Sequence, residues 1–467
     1  MSRKERRLQR HMAKKGHPAE RIAAAPSAAV VMRVARLQRE AMSLAESDQP
    51  RRALAICREL LTLQPNRPDV LSFAGTLAFK LGDMEEAAGL HRRAVAARPE
   101  IAEYQYNFGS ALGQTGQLQE AVAAYRKTLA LRPDFWQAHH NLGNTLRALG
   151  RLPEAVESYR RGLACRATAE GERDLGIALH DLQQLDEAIA AYRRCLALPG
   201  HRIDVYSNLA NALMEQGSWQ DALDVCERYL VLEPGNIEAT ALKVLALHEL
   251  ERDQEACALL DFDRFVRVID FTKPPPGYPG IAAFNEALVA HVEAHPSLAV
   301  PPRDHPTYHN DALEITGELF VEPKGPMAAF ETMMREAVIA YIETVAREPP
   351  HPFIERLPNK WALACWATRL AGQGHLDPHI HFTGYIGGVY YPLLPDVVAD
   401  PGRAGAGWFE LGRPPQRFRC RSEPLMRRIQ PKEGRLLLFP GYFFHNTVPF
   451  VSSQRRISIA FDLLRRD

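Results

Sequence analysis

Prolines spaced at one constant interval constrain the fold of this chain more than any other feature. Pro65, Pro99 and Pro133 lie 34 residues apart, and Pro234 follows three intervals later within one residue. Proline ends a helix because it lacks an amide proton and its ring clashes with the preceding turn. An interval of this length holds two short helices, so the sequence predicts a stack of helix pairs.

Small residues recur in phase with the prolines, one set in the first helix of each pair and one set 12 residues later in the second. Because small side chains let two helices approach closely, each pair is expected to pack tightly. An aromatic residue four positions after the alanine is expected to fill the groove between neighbouring pairs. The first set is Gly75, Gly109, Gly143, Gly176 and Ala210, the second is Ala87, Ala121, Ala155, Ala188 and Ala222, and the aromatics are Tyr125, Tyr159 and Tyr192.

The period and these positions resemble the tetratricopeptide repeat. The same frame extends back to Ala53 and forward to Ala256, which gives about seven units between residues 34 and 262. We therefore expect an α-solenoid of tetratricopeptide helix pairs over residues 31–265, with one concave face. The repeat near Ala167 lacks the proline and is expected to be distorted.

Asparagines recur at one repeat position, at Asn107, Asn141 and Asn208, and Asn144 and Asn211 lie three residues further along the same helices. The pattern resembles the asparagine ladder of some tetratricopeptide arrays, which implies binding of an extended peptide. A carboxamide donates and accepts hydrogen bonds, so it can bind a peptide backbone of any sequence. The alternative is a polar helix surface that is bonded to water.

The charge balance does not indicate a nucleic-acid or membrane partner. Lysine and arginine number 57 against 56 acidic residues, and the basic excess lies in residues 1–30, where we expect a flexible tail. The basic start is not followed by the apolar run of a secretory signal. No stretch reaches the roughly 18 apolar residues of a membrane span. We therefore expect a cytoplasmic protein.

A second domain is predicted after the repeats. The 34-residue period ends near Leu260, and the run Lys273-Pro-Pro-Pro-Gly-Tyr-Pro-Gly marks a boundary that no helix or central strand can cross. Residues 266–350 are expected to form a linker and helical support, with a helix over 327–347. Residues 351–467 are expected to form a barrel or jelly roll of short strands. The predicted strands are 361–369, 386–394, 435–439 and 456–464.

Histidines are unusually dense in this second domain. His375, His379 and His381 lie within seven residues, and His445 follows an apolar strand. Residues two apart in a strand share a face, so His379 and His381 can both point into a barrel and His445 can join them from another strand. Metal ligation explains this density. Iron(II) oxygenases use three ligands on one face of the metal and leave three positions open.

An arginine beside a hydroxyl opens the last predicted strand, at Arg456 and Ser458. A guanidinium next to a hydroxyl can hold a carboxylate in one direction. The whole pattern resembles the double-stranded β-helix core of 2-oxoglutarate oxygenases, over about 110 residues. The residues that carry this resemblance are His379-Ile-His381, Gly387-Gly-Val-Tyr-Tyr391, Pro431-Lys-Glu-Gly-Arg-Leu-Leu-Leu-Phe-Pro440, His445 and Arg456-Ile-Ser458.

The resemblance implies Fe(II), 2-oxoglutarate as cosubstrate and dioxygen. It places the metal on His379 and His445, and the distal carboxylate of 2-oxoglutarate on Arg456 and Ser458. Tyr391 is the candidate for a further cosubstrate contact, by alternation from Val389.

The chain departs from most of the family at the second ligand, because His381 stands where a carboxylate is usual. Three arrangements therefore remain open. The metal is held by His379, His381 and His445, by His375 and Asp377 in a shifted register, or by Asp377 and His379. We favour the first, because the short interval to the Gly-Gly-Val-Tyr-Tyr strand resembles an oxygenase subgroup with histidine-x-histidine.

The expected function is that of a 2-oxoglutarate- and Fe(II)-dependent dioxygenase that hydroxylates a protein or peptide presented by the repeats. A repeat array beside a catalytic domain raises the effective concentration of a bound chain at the active site. The alternative is a tetratricopeptide scaffold without catalysis, whose β-domain binds a ligand or metal. Turnover of 2-oxoglutarate distinguishes the two, since the scaffold would bind a ligand or metal without turnover.

Overall fold

The computed structural model describes residues 28–301, 313–403 and 405–466. The predicted basic tail therefore lies outside the described residues, apart from its last three. The chain forms two compact units, one that ends at Ala167 and one that begins at Thr168. The division falls within the helical repeats, at the repeat that lacks its proline.

The first unit consists of helices that pack in consecutive pairs, which confirms the prediction for this half of the repeats. The prolines follow the second helix of a pair, as at Pro65 and Pro99. The helices are α1 (Ala28–Glu46), α2 (Pro50–Leu63), α3 (Pro68–Lys80), α4 (Met84–Ala97), α5 (Ala102–Gln114), α6 (Leu118–Leu131), α7 (Trp136–Ala148) and α8 (Leu152–Cys165).

Glycines and aromatic rings set the distance between the two helices of a pair. A Cβ built on Gly143 of α7 would lie 2.5 Å from the Tyr159 ring of α8, and one on Gly109 would lie 2.9 Å from the Tyr125 ring. Each ring thus lies over the glycine of its own pair. From the sequence, we instead expected the ring to fill the groove between neighbouring pairs. The alanines at the second small position are fully buried, as expected.

The second unit begins with further helix pairs and continues into the β-domain. Its helices are α9 (Ala169–Asp181), α10 (Leu185–Ala197), α11 (Val205–Gln216), α12 (Trp219–Leu232), α13 (Ile237–Glu249), α14 (Asp253–Leu259), α15 (Phe262–Phe265), α16 (Ile281–Glu293) and α17 (Met327–Val345). Its strands are β1 (Arg267–Asp270), β2 (Leu313–Ile315), β3 (Trp361–His379), β4 (Gly384–Leu393), β5 (Phe409–Leu411), β6 (Arg427–Ile429), β7 (Arg435–Pro440) and β8 (His445–Arg465).

The strands form one curled antiparallel sheet, which confirms the predicted jelly-roll-like domain. The order along the main path is β1-β7-β4-β8-β3-β2, and β5 pairs with β6 and β8. The long strand β8 pairs with β3 along most of one edge. Its other edge pairs with β5 near the start of β8 and with β4 further along. The strands β1 and β2 come from residues that the sequence assigned to the linker, so the sheet begins earlier than predicted.

Two adjacent glycines let aromatic rings pack against β4. A Cβ on Gly388 would lie 2.2 Å from the Phe461 ring, and one on Gly387 would lie 2.8 Å from the Phe439 ring. Both rings are buried. The Gly-Gly step therefore allows strands β7 and β8 to place large side chains over the middle of β4.

The helices of the described residues do not meet the requirements of a membrane span. None of them is both long enough and apolar enough to cross a bilayer.

Candidate metal centre

Three histidines converge where β3 ends and β8 begins. His379 and His445 face each other in register across these strands, and His381 lies two residues beyond the end of β3. One possible ligand atom from each ring lies within 4.8 Å of the others. Ring centres are 4.4 Å apart for His379 and His445, and 4.7 Å apart for His381 and His445. The three imidazoles thus surround one point.

Each of these rings has a hydrogen bond at Nδ1 that fixes its orientation. His379 Nδ1 lies 2.7 Å from the backbone oxygen of Asp377, and His445 Nδ1 lies 3.0 Å from that of Phe443. His381 Nδ1 lies 2.5 Å from Oδ1 of Asp462. An acceptor at Nδ1 favours the tautomer with its proton there, in which Nε2 is the ring atom that could bind a metal.

Burial keeps two of the rings neutral. It lowers the pKa of His379 to about 3, with a smaller contribution from the nearby His381. Burial also holds the pKa of His445 well below its usual range, and the two neighbouring histidines add to this effect. A divalent cation binds imidazole only in its neutral form, so these rings are ready to bind a metal at neutral pH.

Asp462 was missed in the sequence, although a signal for it exists. The side chain is buried in β8 and bonds to His381. Alternation from Arg456 through Ser458 puts it on the same face of the strand, and an acid on the inner face of an apolar strand is unusual. A Cβ on Gly384 would lie 2.2 Å from the Asp462 carboxyl carbon, so only glycine leaves room for this carboxylate.

The other candidate ligands lie apart from this histidine cluster. The Asp377 side chain is exposed, and its carboxylate lies 3.6 Å from Nε2 of His375. Among the described residues, the group of possible ligands around His445 contains neither His375 nor Asp377. The Asp377 contribution to the cluster is its backbone oxygen.

The predicted cosubstrate residues form a second group. Arg456 of β8 is 1% exposed, and its Nη1 lies 3.4 Å from Oγ of Ser458. Its guanidinium carbon lies 5.3 Å from the centre of the Tyr391 ring. Thr368 of β3 pairs with Ser458 in register, and their hydroxyl oxygens are 2.7 Å apart. No spacing in the sequence indicates Thr368, because its role depends on which strands pair.

Two buried polar atoms of this group lack partners. Within the described part of the chain, neither Nε of Arg456 nor the hydroxyl of Tyr391 has a hydrogen-bond partner, and no carboxylate pairs with Arg456. Burial lowers the pKa of Arg456 and raises that of Tyr391 to about 12. A buried cation without a counter-charge is costly, so the arrangement suits an anionic ligand.

The asparagines of the repeats occupy two separate sites. In the first unit, Asn107, Asn141 and Asn144 line one groove of about 520 Å³. In the second unit, Asn208 is half-buried on α11, and Asn211 lines a cavity beside His379. The Asn211 amide is already engaged, since Nδ2 donates to the Ser207 backbone oxygen and to Glu238.

Comparison with known families agrees with this geometry. Residues 364–462 match the model of a family described as "Putative 2OG-Fe(II) oxygenase". Residues 39–100, 106–172 and 179–246 match two models described as "Tetratricopeptide repeat". The chain joins tetratricopeptide repeats to a domain of this oxygenase family.

Solved structures resemble the repeats of this chain. YrrB, described as a TPR protein with an unusual peptide-binding site, is 22% identical with a TM-score of 0.35 over 38% of this chain and 92% of its own. TTC0263 of Thermus thermophilus is 22% identical, with a TM-score of 0.31 over 39% and 99%. MamA of Desulfovibrio magneticus is 18% identical, with a TM-score of 0.34 over 35% and 94%. No curated protein matches the chain.

The residues present fit the groups that the oxygenase family implies. Each of the three imidazoles offers a nitrogen ligand within 4.8 Å of the others, and imidazole nitrogen is a ligand that suits iron(II). The buried Arg456 with its unpartnered Nε, and the unpartnered hydroxyl of Tyr391, suit the carboxylate of 2-oxoglutarate.

Proposed function

We propose that this protein is a 2-oxoglutarate- and Fe(II)-dependent dioxygenase that hydroxylates a protein or peptide presented by its repeats. One observation carries the proposal. A cluster of three imidazoles occurs in the same domain as a buried arginine that has no carboxylate partner among the described residues. A structural core has no use for such a cation, whereas a cosubstrate site needs it.

His379, His381 and His445 would hold the iron. Three ligands on one face leave positions for the cosubstrate and for dioxygen. Bound iron(II), with 2-oxoglutarate and dioxygen, supplies the oxidising chemistry of C–H hydroxylation. Three imidazole ligands would bring no negative charge to the cation, so the carboxylate of Asp462 behind His381 would partly offset the cation's charge.

Arg456 would hold the distal carboxylate of 2-oxoglutarate. Its guanidinium offers several donors in one plane, Ser458 adds a hydroxyl beside it, and Tyr391 adds another. Thr368 orients the Ser458 hydroxyl through its own. In this buried environment water competes weakly, so each of these hydrogen bonds contributes more than it would at the surface.

The aromatic residues around His445 would keep bulk water from the metal. Phe439 and Phe409 lie with ring centres 4.8 and 5.5 Å from that of His445, and both are buried. They also fix the plane of the imidazole. Rigid, dry surroundings of this kind keep a metal site in one geometry before the substrate binds.

The repeats would bind the substrate chain. The groove that contains Asn107, Asn141 and Asn144 also contains Tyr106, whose hydroxyl accepts a hydrogen bond from Asn141 at 3.1 Å. Amides and hydroxyls along a groove can pair with a peptide backbone without selecting its side chains. Selectivity then has to arise elsewhere.

Succinate formation tests this proposal. The full-length protein with Fe(II), 2-oxoglutarate, dioxygen and a library of peptides is expected to release succinate faster than without peptide, and mass spectrometry is expected to find one added oxygen in the peptide that stimulates. Arg456→Ala should abolish both signals. Iron and 2-oxoglutarate binding without succinate from any peptide would contradict the proposed hydroxylase and leave the scaffold.

A further inference from the structure

A cavity of about 280 Å³ beside His379 has walls from both the repeats and the β-domain. The helical wall includes Asn211 of α11 and Glu238 of α13. The opposite wall includes His379, Phe382 and Arg417. All of these residues belong to the second compact unit, so the cavity lies inside one body.

The two walls are joined by contacts of the loop 412–426. The backbone amides of Arg421 and Ser422 donate to the Glu249 carboxylate at 2.8 to 3.0 Å. Nε2 of His248 lies 2.7 Å from the backbone oxygen of Glu423. These bonds fix the C-terminal end of α13 to the β-domain, so Glu238 on the same helix keeps its place in the cavity wall.

The charges around the cavity are unequally balanced. Arg417 Nε lies 3.5 Å from Oε1 of Glu215, which balances the arginine charge. Glu238 accepts a hydrogen bond from Asn211 at 2.8 Å, but within the described ranges it forms no ion pair. Asn211 therefore orients the Glu238 carboxylate, and Arg417, whose Nη2 lies 3.5 Å from Oδ1 of Asn211, attracts it without forming an ion pair with it. Because Glu215 already lies beside Arg417, the two carboxylates outnumber the arginine, and a bound cation meets a net negative charge.

The opposite wall provides an exposed apolar surface, against which the hydrocarbon part of a side chain can pack. Phe382, one residue after His381, is 56% exposed, which is high for so large an apolar side chain. A lysine or arginine side chain combines a hydrocarbon stem with a terminal cation, and it commonly covers apolar surface with the stem. Its cation can also be attracted by the ring face.

We propose that this cavity admits a polypeptide segment with a lysine or arginine, whose cation pairs with Glu238 while its stem lies against Phe382. The last repeats thereby help to determine which substrates reach the metal. The proposal rests on the proposed function, since it names the substrate class of that same site. Glu238 is a specificity-determining residue in this account and takes no part in the oxidation.

Peptide binding tests the proposal directly. Short fluorescent peptides that differ only at one central position, lysine, glutamine or glutamate, are titrated into the full-length protein with Fe(II) and 2-oxoglutarate under anaerobic conditions. The lysine peptide is expected to bind about three- to five-fold more tightly than the glutamine peptide, as for a partly exposed ion pair. The glutamate peptide is expected to bind most weakly.

Two variants separate Glu238 from the general charge of the protein. Glu238→Gln is expected to remove the preference for lysine, and Glu238→Lys to reverse it. Glu233→Gln is the matched control, because Glu233 is exposed and does not line the cavity. It should keep the preference of the natural chain.

Equal binding of the three peptides, or a lysine preference that survives in Glu238→Gln, would overturn the inference. Turnover of 2-oxoglutarate without peptide is measured in parallel. Normal turnover with no charge preference would refute this inference alone, whereas absent cosubstrate binding and turnover would refute the proposed function. In either case, the fluorescence anisotropy of the peptides shows whether the cavity prefers a cationic side chain.

Discussion

Arg456 illustrates how a functional residue can weaken the fold that contains it. The guanidinium is buried, and no acid pairs with it in the part of the chain that the structure describes. Burying a cation in this way costs several kcal/mol. The strand β8 would be more stable with an apolar residue of similar length at this position.

Replacing Arg456 with methionine should therefore separate stability from function. We expect Arg456→Met to raise the free energy of unfolding without 2-oxoglutarate by about 1 kcal/mol, because the unpaired buried charge is removed. The variant should also lose 2-oxoglutarate binding. Chemical denaturation and isothermal titration calorimetry measure the two effects.

Arg455 supplies the matched control. It is exposed and forms an ion pair with Glu293, so Arg455→Met should leave 2-oxoglutarate binding unchanged. A loss of stability in Arg456→Met, together with unchanged cosubstrate binding, would show that the arginine has a structural role only.

Asp462 and Asp377 allow the open question of the ligand set to be decided. Asp462→Asn keeps the shape of the side chain but removes the charge behind His381, so we expect iron affinity to fall by about ten- to a hundred-fold. Asp377→Asn should have little effect, because only the backbone oxygen of Asp377 contacts the cluster. Anaerobic Fe(II) titration of the two variants measures this. A large loss in Asp377→Asn alone would favour a carboxylate ligand.

The residues of the site were predictable to different degrees. His379, His445 and Arg456 could be proposed as site residues from the sequence, because their order along the chain resembles a known pattern. Thr368 could not be found, because its contact with Ser458 exists only through the pairing of β3 and β8. Contacts that depend on strand register leave no trace in the spacing of a single sequence.

At the scale of elements, the glycine under each aromatic ring fixes the geometry of a helix pair. Gly143→Ala should lower the free energy of unfolding by about 1 to 3 kcal/mol, because the new methyl group would overlap the Tyr159 ring. Gly89→Ala should raise it by up to about 1 kcal/mol, since nothing lies near that position and alanine favours a helix. Thermal and chemical denaturation compare the two. Equal effects would contradict the packing described.

His91 occupies the position of the repeat tyrosines Tyr125 and Tyr159, and it gives the first unit a pH dependence. Burial lowers its pKa from 6.5 to about 4, so the folded state keeps the ring neutral while the unfolded state takes up a proton. The free energy of unfolding is therefore unaffected by protonation of His91 above pH 6.5, and it decreases as the pH falls from 6.5 towards 4.

His91→Tyr should remove this loss. Gly75 lies under His91 as Gly109 lies under Tyr125, so the ring of a tyrosine can be accommodated. We expect the difference in unfolding free energy between neutral pH and about pH 5 to be smaller in the variant than in the natural chain. Denaturant titrations at the two pH values measure it, and an unchanged difference would contradict a neutral buried His91.

Among the elements, helices with a repeated period were predicted better than isolated short segments. As expected, α2, α4, α6 and α12 each end just before a repeat proline. A proline ends a helix through its own backbone chemistry, independently of the surrounding fold. The four residues of β1 carry too little alternation to reveal a strand, and only their pairing with β7 defines one. The helix α16 was likewise absent from the predicted elements.

At the scale of the whole molecule, the contacts between distant segments could not be predicted. The loop 412–426 binds α13 through Glu249 and His248, more than 170 residues earlier in the chain. This contact makes the last repeats part of the same compact unit as the β-domain. Sequence periodicity describes each element but does not state which surfaces meet.

The central claim is that three imidazoles bind one iron in the presence of 2-oxoglutarate. Anaerobic titration of Fe(II) into the full-length protein with 2-oxoglutarate, followed by visible absorption, tests it most directly. The account predicts a charge-transfer band that saturates at one iron per chain and disappears in His379→Ala, His381→Ala and His445→Ala, while His375→Ala retains it. A band that survives in His379→Ala, His381→Ala or His445→Ala, or no band in the natural chain, would contradict the account.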